Sequence, residues 1–330
     1  METVMLIGGA GFIGSHLVAK LNTLGYKVIV YDCLKKPLIN NKVVTAYAEY
    51  RWKKVRESAY KLIVGDVCDF EQVSKAMQQN SIDTIVYLSA LLSAESANNF
   101  QQAYEVQVEG LRNFLEASKE SKNLKRVVFI SSSYVYGDFQ HNPATEAHRR
   151  QPVDIYGRCK LIGEELTQLY SEKCKFDFSI VRMSGVYGFG DSHVGVERIA
   201  PTLIHCASEN EPLIIKSAGS IIDFTYVKDA VEGLSLVIQN SVAANQTFNI
   251  TRGEARTIAD FARDVKSLKP DFKLTILDER QSTAPGIPKR GALDISKAHE
   301  ILGYSPKYNI ETGIEDYLMD YENSVPSWRP

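Results

Sequence analysis

Val4-Met5-Leu6-Ile7-Gly8-Gly9-Ala10-Gly11-Phe12-Ile13-Gly14 opens the chain, and the fold is decided there. Leu17, Val18, Leu21 and Leu24 follow at helical spacing. A second apolar run, Val28-Ile29-Val30-Tyr31, then ends on Asp32. Strand, glycine turn, helix, strand and terminal carboxylate is the layout of a dinucleotide-binding βαβ unit.

The glycines divide the work. Gly8 turns the chain off the strand, Gly11 lets backbone N–H groups approach a pyrophosphate at the helix N-terminus, and Gly14 lets helix and sheet pack closely. Phe12 and Ile13 belong to the same cofactor-binding turn. Asp32, eighteen residues past Gly14, can accept hydrogen bonds from a ribose 2′-hydroxyl and would repel a 2′-phosphate. That favours NAD over NADP, with Lys35 and Lys36 arguing the other way.

A length of 330 residues allows two domains, or one domain with an appended lobe. With 44% hydrophobic and 24% charged residues the composition is that of a globular protein with a substantial core. A net charge of −2 gives no reason to expect a nucleic-acid partner, and no apolar stretch approaches a membrane span. The N-terminus enters a strand at once and does not read as a signal peptide. Cys33, Cys68, Cys159, Cys174 and Cys206 show neither paired nor metal-ligand spacing, so reduced thiols in a cytoplasm, and no metal, are expected.

The mixed aromatic and basic stretch Val44 to Lys54 reads as a surface helix whose aromatics pack on the adenine side, in preference to a membrane-surface or partner site. Lys61-Leu62-Ile63-Val64 is the next strand, ending at Gly65-Asp66-Val67, where the Asp66 carboxylate could meet the adenine. Ile82 to Ala90 is a buried strand whose end, Leu88-Ser89-Ala90, lets a cofactor approach. A helix over 100–118 precedes the strand Val127-Val128-Phe129-Ile130. Such alternation predicts an α/β, Rossmann-type, doubly wound parallel sheet.

Two stretches carry chemistry. The strand at 127–130 runs into Ser131-Ser132-Ser133-Tyr134-Val135-Tyr136-Gly137, and Tyr156-Gly157-Arg158-Cys159-Lys160 opens a helix. Tyrosine and lysine four apart share a helical face, and a neighbouring ammonium would lower the phenol's pKa from near 10. Such a phenol could trade a proton with a sugar or alcohol oxygen held by a serine hydroxyl.

With these residues the chain resembles the extended short-chain dehydrogenase/reductases of the NAD-dependent sugar epimerase/dehydratase type. The resemblance runs from Gly8–Gly14 through Asp66-Val67, Ser131–Gly137, Tyr156 with Lys160 and Arg182–Gly188. It continues through Asp223–Asp229, Phe248-Asn249-Ile250 and Leu293–Pro306. It implies Ser132 as the hydroxyl partner, Tyr156 as general base, and Lys160 as the residue that tunes the tyrosine and holds the nicotinamide ribose. It further implies Met183 at the cofactor, and Ser93, Ser132, Ser133, Tyr156 and Gly185 at the substrate. The reaction implied is hydride transfer to NAD from a hydroxyl-bearing sugar carbon.

Departures narrow the reaction. The family's 4,6-dehydratases carry Asp-Glu after the catalytic hydroxyl residue, and its decarboxylases a glutamate at the second of these positions; here stand Ser133-Tyr134. Elimination lacks its acid and base, whereas epimerisation of a nucleotide-activated sugar needs neither. Net redox turnover by a dehydrogenase or ketoreductase, on a nucleotide or a non-nucleotide substrate, and a non-catalytic nucleotide-binding regulator remain as alternatives. Ile222 and Ala284 stand where arginines usually clamp a substrate diphosphate, and Gly185 where an asparagine is common. Arg198, Lys216, Lys289 and Arg290 are candidate replacements. Gln107 replaces an asparagine behind the site, and Cys159 reads as a packed residue.

Residues 1–182 are expected to form the NAD-binding domain, with segments over about 223–250 returning to it, and 183–330 the substrate lobe. The lobe is expected to contain helices over 201–208, 229–239 and 257–268 and strands over 212–215 and 273–277. The loop 281–290 should cover the substrate, and the tail 323–330 should fray apart from Trp328. By family analogy, apolar stripes on the 100–118 and 156–172 helices predict a homodimer.

Overall fold

A computed structural model describes residues 1–35, 42–191, 198–280 and 287–324. Ala284, Lys36, most of the 281–290 loop, and the tail with Trp328 lie outside the described residues. Six strands alternate with helices through the first part of the chain: β1 (Thr3–Ile7), β2 (Lys27–Asp32), β3 (Lys61–Val64), β4 (Thr84–Tyr87), β5 (Arg126–Ser132) and β6 (Asp177–Met183). A seventh strand, Gln246–Asn249, comes from much later and pairs with β6, so the parallel sheet runs Gln246–Asn249, β6, β5, β4, β1, β2, β3. The expected doubly wound α/β fold is what the chain adopts.

Both faces of the sheet are covered, and the pleat sorts the side chains. Val4, Leu6, Val28, Val30, Val86 and Val128 enter one apolar cluster. Their alternates Met5, Ile7, Ile29, Tyr31, Ile85 and Phe129 enter another. Helix α1 (Phe12–Thr23) packs beside the Val227–Gln239 helix, while Phe70–Gln78 and Gly110–Ser118 pack together on the opposite side. The strand order reverses between β1 and β4. Their carboxyl ends therefore part to leave the crevice in which open α/β sheets bind ligands.

The expected 100–118 helix is not continuous α-helix. Phe100–Tyr104 passes through a π-helical turn, Glu105–Glu109, into Gly110–Ser118. At Gly110 a Cβ would stand 2.6 Å from Val67 Cγ2 and 2.7 Å from the Tyr87 hydroxyl, so the helix is pressed close to the sheet there. Gln107, inside that turn, is buried and its Nε2 donates to Ser96 Oγ at 3.3 Å.

Beyond β6 the described chain builds a lobe from the helices Ile199–Glu209, Ile258–Leu268 and Ile310–Ser324. The expected helices over 201–208 and 257–268 and both expected strands fall here, with Leu213–Ile215 pairing parallel to Leu274–Ile276, whereas the expected 229–239 helix is the Val227–Gln239 helix packed beside α1. Thr257 caps its helix by a box in which its Oγ1 accepts from Asp260 N at 3.0 Å. The lobe is stitched to the sheet by Gln246–Asn249 and by Val186–Tyr187 pairing with Thr225–Tyr226.

Candidate active site

The carboxyl ends of β1, β2, β4, β5 and β6 converge on a cavity of about 420 Å³. At one end is the glycine turn. Gly8 holds φ +77°, and a Cβ there would come within 2.8 Å of Ser89 N; at Gly14 a Cβ would meet the Gly9 backbone at 2.6 Å. Only glycine lets the turn, the β4 end and α1 approach this closely. Gly11 caps α1 with no side-chain bond and no acidic residue in the first turn, so the helix end keeps its backbone donors for an anion.

Asp32 ends β2 with both oxygens engaged: Oδ2 accepts from Ala10 N and Oδ1 from Leu34 N, each at 2.9 Å. Burial raises its pKa against these two bonds and the Arg51 charge. Gly8, Gly11, Phe12, Ile13, Gly14, Asp32, Leu88, Ser89, Ala90 and Met183 all line the cavity. Asp66 and Val67 are not among its described lining residues. The Asp66 carboxylate is instead taken by Lys35 Nζ at 2.7 Å and Cys68 N at 3.0 Å, and Val67 is buried in the core. That bond also occupies the ammonium of Lys35.

At the other end stand Ser132, Tyr156 and Lys160, with Ser93, Ser133 and Gly185 beside them. Ser132 ends β5. Asp154 N-caps the Ile155–Cys174 helix, its Oδ1 accepting from Gly157 N at 2.9 Å, which fixes the first turn that carries Tyr156. Asp154 Oδ2 accepts from Ser93 Oγ at 3.0 Å, tying the residues after β4 to the same turn. Beneath them Glu164, fully buried, receives Arg182 Nε at 2.9 Å and Nη2 at 2.7 Å, together with Ser131 Oγ.

The electrostatics differ from the expectation at one point. Burial pushes the Tyr156 phenol up to about 12, and the hydrogen bond with Ser132 only partly opposes it. The ammonium of Lys160 donates to the Ile130 carbonyl at 2.7 Å and lies 5.7 Å from the centre of the Tyr156 ring. It is itself desolvated, with a pKa lowered to about 8. The phenol is therefore raised, not lowered, because loss of water outweighs the Ser132 hydrogen bond and the Arg198 charge.

Three further groups line the site. Tyr134 meets the Tyr156 ring edge-on at 5.4 Å between centroids, and the Arg290 guanidinium lies 4.5 Å from the centre of the Tyr134 ring. Arg198 pairs through Nη2 with Asp191 Oδ2 at 2.8 Å. Ser133 Oγ, Arg198 Nε and Arg290 Nε are buried without hydrogen-bond partners among the described residues. Of the four candidate phosphate-holding residues, Arg198 and Arg290 line the cavity; Lys216 and Lys289 are exposed and do not.

Sequence reasoning passed over Arg51. Two aromatics of its helix, Lys42–Ser58, pack inward: Tyr47 and Tyr50 meet Phe189 at 5.5 and 5.2 Å between centroids. That turns Arg51 into the cavity wall, where its Nε donates to the Ala10 carbonyl at 3.3 Å. No spacing signals a partner 41 residues away.

Comparison with known proteins agrees with this arrangement. Residues 4–251 match the model of the NAD dependent epimerase/dehydratase family, and the chain belongs to that family. A putative UDP-glucose 4-epimerase from Methanocaldococcus jannaschii is 29% identical over 327 residues, 97% of this chain and 99% of its own. Human dTDP-D-glucose 4,6-dehydratase is 25% identical over 340 residues, 99% of this chain and 92% of its own. Among solved structures, the UDP-glucuronic acid 4-epimerase of Bacillus cereus, in complex with UDP-glucuronic acid and NAD, superposes with a TM-score of 0.85 at 27% identity. That match covers 98% of this chain and 99% of the other. The cofactor is NAD, and the glycine cradle, the uncapped α1 end and the Asp32 carboxylate are a donor and acceptor set that fits it. Among the described residues no helix is long and apolar enough to cross a membrane.

Proposed function

We propose that this protein is an NAD-dependent epimerase of a nucleotide-activated sugar that inverts a hydroxyl-bearing carbon, C4 by analogy with its relatives. One observation carries the reading: Ser132, Tyr156 and Lys160 share a cavity with the glycine turn, while Ser133 and Tyr134 put no carboxylic acid beside them. That favours turnover at a single carbon over elimination of water across two.

Bound NAD supplies the hydride acceptor and donor for a transient keto-sugar. In the NAD-bound enzyme Tyr156 acts as the phenolate: its oxygen accepts the proton of the sugar hydroxyl, becoming the phenol, and the phenol returns that proton after the sugar has turned. Ser132 Oγ holds the same sugar oxygen, and its hydrogen bond with the phenol keeps the two aligned. Lys160 holds the nicotinamide ribose from its position one helical turn after Tyr156, and the charge it keeps at neutral pH favours the phenolate from which Tyr156 accepts the proton. Gly8, Gly11, Phe12, Ile13, Gly14, Asp32, Leu88, Ser89, Ala90 and Met183 bind NAD in this reading, and Ser93, Ser133 and Gly185 contact the sugar nucleotide. Arg198 and Arg290, each with a buried Nε that has no hydrogen-bond partner among the described residues, are the cations placed to meet its phosphates.

Residues 1–182 with the returning segments serve the cofactor and the remainder the substrate. We also propose a homodimer through the helices over 100–118 and 155–174, which expose Phe100, Tyr104, Ile162 and Leu169. A cytoplasmic location accords with five free cysteines. The deciding experiment incubates the enzyme with UDP-glucose, UDP-glucuronic acid and the corresponding dTDP-, GDP- and CDP-sugars. Product is followed by NMR and nucleotide by absorbance. Isomerised sugar without net NADH is expected; stoichiometric NADH, or no turnover of any sugar nucleotide, overturns the reading.

A further inference from the structure

We propose that Arg51 is a cofactor-binding residue whose guanidinium holds the pyrophosphate of NAD over the glycine turn. The proposal does not depend on which sugar is turned over. It starts from a side chain only 7% exposed that nevertheless borders the cavity. Its Nε donates to the carbonyl of Ala10, inside the turn itself, and its Nη1 to the carbonyl of Gly190. Nη2 makes no hydrogen bond among the described residues.

Neutral carbonyls orient a guanidinium without cancelling its charge. The two carboxylates near enough to act on it, Asp32 and Asp191, are engaged elsewhere. Asp32 accepts from two backbone N–H groups, and Asp191 pairs with Arg198. A desolvated arginine with a spare donor facing a cavity is suited to an anion, and its planar fork to phosphate oxygens above others. The nearest place for such an anion is the start of α1, whose backbone donors have no acidic competitor. Among the lining cations Arg51 bonds to the glycine turn, whereas Lys160 and Arg290 stand beside Tyr156 and Tyr134 and Arg198 is paired with Asp191.

The fold holds the group still. Tyr47 and Tyr50, on the same helix, clasp Phe189, and the next residue supplies the Gly190 carbonyl. The guanidinium is thus anchored from both sides before any ligand arrives, which cuts the ordering cost of binding.

The test uses the full chain stripped of nucleotide, with NAD, ADP-ribose and adenosine titrated by calorimetry. Arg51→Met is expected to weaken NAD and ADP-ribose about 30-fold or more while leaving adenosine unchanged, and Arg51→Lys to restore part of the loss. Affinities for NAD within threefold of wild type, or an equal loss for adenosine, would reduce Arg51 to a strut between Ala10 and Gly190. If Arg51→Met does not fold, the Arg51 Nε–H resonance of the wild-type protein decides. It shifts on adding ADP but not adenosine if the proposal holds, and stays put with both if it fails.

Discussion

The Lys160 ammonium is joined to the Ile130 carbonyl at 2.7 Å and sits 5.7 Å from the centre of the Tyr156 ring, with almost no access to water. A cation in that position is costly to the folded state. Its pKa falls from 10.5 to about 8, so between those values the unfolded chain binds a proton that the folded one does not. Stability from this group therefore rises with pH across that window, and the full penalty, on the order of 3 kcal/mol, is present below it. Lys160→Met removes the penalty. The variant should gain on wild type at pH 7 and lose that advantage as pH climbs from 8 to 10.5. Denaturant melts of both proteins, nucleotide-free, across this range check it; a pH-independent difference refutes it.

Tyr156 should ionise late. With its phenol pushed up to about 12, the absorbance difference between nucleotide-free wild type and Tyr156→Phe should stay flat at the phenolate band until about pH 10.5. The same variant should lower turnover about 10³-fold while binding NAD as tightly as wild type. A phenolate signal near pH 7 in the nucleotide-free protein would mean that desolvation does not dominate.

Glu164 carries a structural load directly below the chemistry. Glu164→Gln removes the charge that two nitrogens of Arg182 face and leaves the arginine buried without a counter-ion. A loss of about 3–5 kcal/mol in unfolding free energy is expected, measured by denaturant titration. Below the melting range, the KM for sugar nucleotide should change little, since neither Glu164 nor Arg182 lines the cavity.

Gly8→Ala tests the cradle. Its Cβ would force a left-handed backbone on alanine and press within 2.8 Å of Ser89 N, a backbone atom that cannot swing aside. We expect about 1–3 kcal/mol of destabilisation and at least about a tenfold loss in NAD affinity, read by thermal melting and calorimetry. Unchanged binding would show that the turn relaxes freely.

What could be read in advance was local. Gly8 through Asp32 encode turn, helix and carboxylate within one βαβ unit, and Tyr156 and Lys160 share one helix, so spacing revealed them. What escaped depends on contacts made across the fold. Asp66 has the right place at a strand end, yet Lys35 and the Cys68 amide claim its oxygens. The π-helical turn at Glu105–Glu109 occurs where Gly110 presses on Val67 and Tyr87, residues with no sequence proximity to it. Arg51 looks like any solvated arginine until Phe189 draws its helix inward. The Tyr156 pKa failed for a related reason: spacing reports a neighbouring charge, whereas burial is a property of the finished fold.

The pairing of Gln246–Asn249 with β6 has a consequence for how this molecule could be divided. Cutting the chain after Met183 would expose the backbone of β6 along one whole side and strip the buried Val181 and Met183 of apolar neighbours such as Phe248. A severed N-terminal half would present a naked sheet margin prone to sticking to its own kind. Neither half can be exchanged as a module, and a circularly permuted or split version would have to carry that late segment with the early one.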